Sequence, residues 1–234
     1  MSKESKVQFK AHAQADSATT SENQFVVIDV LANDRGSADT IYSLDQQDPT
    51  NEFRSAILPS GATVQTTGIQ HMVVYKPGNG FDYLAEGETA TDSFTYTIRL
   101  ADGSFSTATI EILITGTNDP AVIPSTFVEL YEGDTAEDLS TSGTLTISDV
   151  DSPELFVAGT QEGSFGTFTI EEDGDWTYTA SSAHDEFQDT NAYGEVFYVH
   201  SVDGTSSYVQ IHLMGTGNEP ELMSAKANPD LAFA

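Results

Sequence analysis

The sequence repeats one pattern of strands and turns after about 100 residues. The two copies are residues 92–120, DSFTYTIRLADGSFSTATIEILITGTNDP, and residues 195–220, EVFYVHSVDGTSSYVQIHLMGTGNEP. Each copy has an alternating strand, an Asp-Gly turn, a second alternating strand and an acidic exit that ends in Pro. Self-similarity at a fixed period indicates repeated structural units, so the sequence predicts two modules.

Apolar and polar residues alternate at period two along most of the chain, as in Phe94, Tyr96 and Ile98. Helical patterns are nearly missing, and only 183–191 could form a helical turn. About seven short alternating segments per half, separated by predicted hairpin turns such as Asn79-Gly80 and Asp173-Gly174, are typical of an antiparallel β-sandwich. We therefore predict an all-β fold with two tandem sandwiches, and a closed barrel is the alternative.

The repeat also suggests where the modules begin and end. Residues 1–20 begin with Lys residues, as a signal peptide does, but no apolar segment follows them. We therefore predict that they form a polar N-terminal arm. The first sandwich is assigned to 21–119 and the second to 120–220, with a boundary at the Asp-Pro step. Residues 221–234 are predicted to be a C-terminal arm.

The chain is strongly acidic and contains no cysteine. It has 37 Asp and Glu against 8 Lys and Arg, for a formal net charge of −29. Such a surface repels nucleic acid and anionic membranes, which bind clusters of Lys and Arg. No apolar run is long enough to insert into a membrane. The aromatic alternating strands argue against disorder, which leaves salt adaptation and divalent-metal binding as compatible explanations.

Carboxylates concentrate at turns and module ends. Asn118 and Asp119 lie in the linker, and Asp149 and Asp151 follow a strand of the second module in the loop SDVDS. Oxygen ligands at alternate positions of a short loop can surround one hard cation, and calcium accepts six to eight of them in flexible geometry. These four residues are our first candidates for metal ligands.

The first module has a comparable loop after its first long strand. There Asn33 and Asp34 are candidate ligands for the same reason. Glu22 and Glu132 stand at corresponding positions near the start of each module, without being assigned to a site. Asp102 and Asp203 occupy predicted hairpin turns, where backbone geometry alone favours Asp, and we interpret them as structural.

No arrangement of residues indicates catalysis. A nucleophile elbow, a phosphate-binding loop and a His-Glu-x-x-His motif are all missing from the sequence. We therefore expect a protein that is not an enzyme. Trp176, Tyr178 and Tyr198 could form a sugar-binding platform if they face outward, although core packing is the ordinary explanation for Trp176 and Tyr178.

Several motifs of the second half resemble the VCBS repeat of large bacterial surface proteins. The segment SGTLTISDVDSPE, the hairpin EDGDWTYTA and the closing SVDGTSSYVQ carry the similarity, which covers 125–220. The first half, with IDVLAND, YKPGNGF and ITGTNDP, resembles the related bacterial cadherin-like repeats. Two departures are an exit that reads Gly-Asn-Glu at 217–219 and a poorly fitting segment at 45–56.

The resemblance implies Ig-like sandwiches arranged as stalks in adhesins of the RTX type, which type I systems secrete by a C-terminal signal. It implies calcium (Ca²⁺) at module junctions, which points to Asn118, Asp119, Asp149 and Asp151 and, in the first module, to Asn33 and Asp34. The expected partners are neighbouring repeats and a cell-surface glycan or protein receptor. A carbohydrate-binding module of an adhesin or a polysaccharide-degrading enzyme is the alternative function.

Overall fold

A computed structural model of the chain describes residues 12–35, 41–45, 55–69, 71–99, 103–188 and 191–216. Residues 1–11 of the predicted N-terminal arm fall outside these residues, as do the whole C-terminal arm, Asp102, the exit at 217–219 and most of the segment 45–56. Residues 16–20 of the predicted N-terminal arm belong to a strand. By mutual contacts the chain divides into two units. The first is Met1–Pro120 with Asp149–Pro153, and the second is Ala121–Ser148 with Glu154–Ala234. The predicted boundaries 21–119 and 120–220 stay a prediction.

The first unit is a sandwich of two four-stranded sheets. One sheet has the order β1-β8-β7-β3 and the other the order β2-β6-β5-β4. Its strands are β1 (Asp16–Ser21), β2 (Val26–Asp29), β3 (Ile41–Leu44), β4 (Ser55–Ile57), β5 (Thr63–Thr66), β6 (Met72–Lys76), β7 (Thr89–Arg99) and β8 (Phe105–Thr115). All pairings are antiparallel except that of β1 with β8, which is parallel.

The second unit repeats this plan with one four-stranded and one three-stranded sheet, in the orders β10-β13-β12-β11 and β14-β15-β9. The parallel pairing of its first strand with its last is also repeated. Its strands are β9 (Thr126–Tyr131), β10 (Thr141–Thr144), β11 (Gly159–Glu162), β12 (Gly166–Ile170), β13 (Asp175–Ala180), β14 (Ala192–His200) and β15 (Ser206–Met214).

Alternation along the strands places one row of side chains in each core. On β8 the inward residues Ile110, Ile112 and Ile114 are buried, while Glu111 and Leu113 between them are exposed. The two cores are separate clusters, so each unit buries its own apolar surface. This confirms the prediction of an all-β fold with Ig-like sandwiches, and open sheets replace the closed-barrel alternative.

Two local predictions are settled by turn geometry. Gly174 and Gly204 adopt positive φ of 88° and 90°, as expected for Asp-Gly turns. The prediction of a hairpin at Asn79-Gly80 is wrong, because Gly78–Phe81 forms a 3₁₀ turn after Pro77. Gly80 is needed there because a Cβ atom would collide with the backbone oxygen of Ser60.

Candidate metal centre

Glu22 anchors the first acidic cluster, which lies in the first unit. The residue directly follows β1 and is only 2% exposed. Its Oε1 accepts hydrogen bonds from the backbone N–H and the hydroxyl of Thr117, at 2.6 and 2.9 Å. Its Oε2 is buried and has no hydrogen-bond partner among the described residues. A buried carboxylate oxygen without a donor is costly, and a cation would compensate for that cost.

Asp119 and the loop 149–153 meet in the same unit. The backbone N–H of Asp119 donates to Oδ2 of Asp151 at 3.1 Å. The loop itself is closed by Oδ1 of Asp149, which accepts from the N–H groups of Asp151 and Ser152 at 3.0 and 2.9 Å. These bonds leave Oδ2 of Asp149 and Oδ1 of Asp151 buried and without partners in the described part of the chain. Hydrogen bonds therefore hold the loop in a conformation in which two of its carboxylate oxygens accept no hydrogen bond from the described residues.

Asp82 extends this cluster from the end of the 3₁₀ turn. Burial raises the pKa of Asp82, and the charges of Asp119 and Glu22 raise it further. The three acids line an open depression of about 420 Å³, which Lys76 also lines. The pKa of Asp151 is raised as well, first by burial and then by Asp149, against a lowering hydrogen bond from Asp119. Each carboxylate of the cluster thus makes ionisation of its neighbours less favourable.

The donor chemistry of this cluster fits a hard cation. Carboxylate oxygens are the ligands that calcium prefers, and mutual repulsion among them is relieved by a divalent charge. Among the described residues, however, no three Asp, Glu or His side chains converge closely enough to hold a metal ion. The cluster supplies suitable oxygens, but they are too far apart to bind one ion. Coordination of a single cation would require these side chains to move closer to one another.

A second acidic cluster contains Asn33 and Asp34, also in the first unit. Oδ1 of Asp34 accepts from the Gln14 N–H at 2.7 Å and from the Tyr96 hydroxyl at 2.8 Å. The Asn33 amide donates to the Ala15 carbonyl at 2.9 Å. Oδ2 atoms of both Asp34 and Asp16 are buried without a partner among the described residues. Since Asp16 begins β1 and Glu22 follows it, this cluster lies roughly 20 Å along the strand from the first.

The protonation of Asp16 should make the stability of the first unit depend on pH. Burial, and then the charge of Asp34, raise the pKa of Asp16 from 3.8 to about 6. The folded state therefore binds this proton more tightly than the unfolded state does. The free energy of unfolding consequently falls as pH rises through about 4 to 6 and Asp16 becomes ionised in the folded protein. Asp16→Asn removes the free-energy cost of holding an ionised carboxylate at this position in the folded protein at pH 7. Allowing for partial exposure, we expect a gain of about 1 kcal/mol.

Urea denaturation in EDTA measures this gain. It should be present at pH 7 and smaller at pH 5, because Asp16 is then largely protonated in the folded protein. Asp134→Asn, which removes one charge from an exposed position, is the matched control and should give a smaller gain. An equal gain for Asp16→Asn at both pH values would contradict the assignment.

The comparison with family models agrees with the sandwich architecture of the first unit. A family model described as "Bacterial Ig domain" matches residues 9–113. Over these residues the first unit is similar to a bacterial Ig domain. No sequence among curated proteins matches the chain. The family match contains the second acidic cluster and Glu22 and Asp82 of the first, whereas Asp119 and the loop 149–153 lie beyond it.

Solved structures with similarity to the chain include cadherins. A structure of Drosophila N-cadherin EC1-4 is 16% identical with a TM-score of 0.45, covering 88% of this chain and 49% of that one. A structure of protocadherin gamma B7 domains 1–4 is 15% identical with a TM-score of 0.41, covering 89% and 51%. Human CDH23 EC21-23 is 12% identical with a TM-score of 0.45, covering 87% and 69%. The chain thus spans about half the length of the first two.

The six predicted metal ligands separate into two places. Asp119, Asp149 and Asp151 are brought together, and Asn118 is exposed beside them. Asn33 and Asp34 belong to the other cluster. Metal binding by all six stays a prediction.

Sequence reasoning missed three acids. Glu22 was placed at a module start without a role, although its match with Glu132 was the available signal. Asp16 and Asp82 were not singled out, because no local pattern distinguishes them from other surface acids.

The second unit repeats part of the first cluster. Glu132 is 7% exposed, and its Oε2 accepts from the Thr216 N–H at 3.0 Å, as Glu22 does from Thr117. Its Oε1 has no partner among the described residues. Asp203 accepts from Thr205, Ala121 and Ser201, and these hydrogen bonds outweigh burial and lower its pKa. These contacts confirm its interpretation as a turn residue.

The aromatic side chains of the second unit separate by face. Trp176 and Tyr178 are 3% and 1% exposed, which confirms that they pack in the core and rules them out as a sugar platform. Tyr198 is 59% exposed on β14.

No helix in the described residues is long and apolar enough to cross a membrane.

Proposed function

We propose that this chain is a calcium-binding adhesion or spacer segment of a bacterial surface protein, without catalytic activity of its own. The observation that carries the proposal is the set of buried, unpartnered carboxylate oxygens on Glu22, Asp149 and Asp151. Asp119 connects this set to the linker that follows the Ig-like unit. The bacterial Ig-like family supports a role in adhesion or in a stalk.

Charge explains why a cation would matter. A formal charge of −29 opposes the compact state, and the clustered acids concentrate that repulsion where the chain passes from one module to the next. Calcium bound by Asp119, Asp149 and Asp151 would cancel the repulsion. The ion would join the linker to a loop 30 residues further along the sequence, which would restrict bending between modules.

The setting follows from the same proposal. Neighbouring repeats of a longer chain would be its partners, together with a receptor on another surface. The protein would act outside the cell, after secretion directed by a C-terminal signal. Extracellular calcium modules work at dissociation constants of about 10⁻⁴ to 10⁻³ M, so the site would be filled at millimolar calcium and empty in chelator.

Small-angle scattering of the whole chain tests the stiffening. We expect the maximum dimension to rise, and its spread to narrow, when EDTA is replaced by 5 mM calcium, because the linker loses freedom. Magnesium at equal concentration is the control for ionic strength and should have a weaker effect, since it releases its waters reluctantly. An unchanged maximum dimension together with an unchanged melting temperature would reject the role.

A further inference from the structure

One face of the second unit carries a group of exposed aromatic side chains. It is the outward face of the sheet β14-β15-β9, which we call the tyrosine face and define by its outward residues. Its large apolar members are 40–59% exposed. They are Phe127, Tyr131, Val196, Tyr198 and Tyr208. Scattered exposed apolar residues need no explanation, but a contiguous patch marks an interaction site.

Strand register shows that the patch is contiguous. Tyr198 on β14 is directly opposite Tyr208 on β15, with ring centroids 6.5 Å apart. One row further along, Val196 pairs with Gln210, which pairs in turn with Phe127 on β9. Adjacent strands lie about 4.8 Å apart, so these side chains form a flat surface three strands wide.

The face is nearly free of charge in a very acidic unit. Residues 121–148 and 154–216 of this unit contain 16 Asp and Glu and no Lys or Arg. Among the outward residues of the three strands the only carboxylate is Glu129, which accepts a hydrogen bond from the Tyr131 hydroxyl. The apolar and aromatic residues therefore replace acids on this face, whereas the rest of the unit is acidic.

Hydroxyl, amide and imidazole groups lie between the rings. His200 shares a hydrogen bond of 2.9 Å with Ser206, and Gln210 shares one of 2.8 Å with His212. His212 also contacts the Phe127 ring edge-on, with centroids 4.7 Å apart. The face thus combines aromatic surface with hydroxyl, amide and imidazole groups that can form hydrogen bonds.

Charge selects among possible occupants. A second copy of the chain and any anionic polymer would meet the repulsion of −29 charges. A cationic partner would bind other surfaces of the unit, because most of the unit's carboxylates lie outside this face. An uncharged carbohydrate meets neither objection, because its C–H faces stack on aromatic rings and its hydroxyls pair with amide, hydroxyl and imidazole groups. We propose that the tyrosine face binds an uncharged polysaccharide.

Affinity electrophoresis of the whole chain tests this binding. Gels containing mixed-linkage β-glucan, xylan or dextran are compared with gels containing alginate, which is anionic. We expect retardation by at least one neutral polymer and none by alginate. Tyr198→Ala and Tyr208→Ala should each weaken that binding by about tenfold, the effect of losing an aromatic anchor. Tyr198→Phe keeps the ring and should retain most of the binding.

The controls separate this proposal from its alternatives. Tyr83→Ala removes a tyrosine of similar exposure, 57%, from the first unit and should leave binding unchanged. Retardation should persist in EDTA, so failure of the calcium proposal would not affect the result. Absence of retardation by all three neutral polymers, or equal loss in Tyr83→Ala, would overturn the proposal. So would sedimentation showing a dimer that Tyr198→Ala dissociates, because the face would then be a self-association surface.

Discussion

Replacing Asp149 and Asp151 together with asparagine should abolish the stabilisation of this chain by calcium. At 5 mM calcium and a dissociation constant of about 10⁻⁴ to 10⁻³ M, an ion that binds only the folded state stabilises it by about 1–2 kcal/mol. For a unit of this size we therefore expect calcium to raise the wild-type melting temperature by about 4–9 °C. The double variant should show almost no rise, because both unpartnered loop oxygens, Oδ2 of Asp149 and Oδ1 of Asp151, lose their charge.

Scanning calorimetry in EDTA and in 5 mM calcium measures the difference. The double variant should also melt slightly higher than wild type in EDTA, since burial of a charge at Asp151 and the interaction with Asp149, which together raise the pKa of Asp151, are both removed. The matched control, Asp134→Asn with Glu137→Gln, removes two charges from exposed positions and should keep the full calcium response. The ligand assignment is falsified if the double variant responds to calcium as wild type does.

Trp176→Ala should cause the largest loss of stability of any single change in the second unit. Trp176 is 3% exposed and stacks on Phe168 with centroids 5.7 Å apart. Gly143 passes so close that a Cβ there would lie 2.7 Å from Cζ2 of the indole, so the pocket has little freedom to rearrange. Removal of a large buried aromatic side chain costs about 3–5 kcal/mol, a large share of the stability of a small domain.

Urea denaturation followed by far-UV circular dichroism tests this expectation, since the fluorescence probe is lost with the only Trp. Trp176→Phe should lose less, because the indole N–H has no partner among the described residues and no hydrogen bond is broken. Tyr198→Ala removes a ring of comparable size from the exposed face and should change stability by about 0.5 kcal/mol or less. Equal losses in Trp176→Ala and Tyr198→Ala would show that the core does not depend on Trp176.

The fold was predictable because its signals are local. Alternation at period two indicates a strand with one solvent-exposed and one buried face. Asp-Gly steps supply the positive φ that tight hairpin turns require. Gly174 and Gly204 adopt that conformation, as predicted. Asn79-Gly80 did not follow the rule, because Pro77 and the close approach of the Ser60 backbone favour a 3₁₀ turn.

The candidate site was only partly predictable because its members are distant in sequence. The spacing of Asp149 and Asp151 suggested an oxygen-lined loop, but contact with Asp119 depends on the fold. Glu22 and Asp82 join that cluster from the end of a strand and the end of a 3₁₀ turn. No local pattern separates such acids from the remainder of the 37.

The sequence by itself determined the repeated modules, the all-β class and the concentration of acids at turns, because these depend on neighbouring residues and on composition. Only the tertiary structure decided which acids share a cluster and which aromatic residues face the core. Trp176 and Tyr198 both stand in alternating strands, yet one is buried and the other exposed. Alternation sets which residues share a face, whereas packing between the two sheets decides which face turns inward.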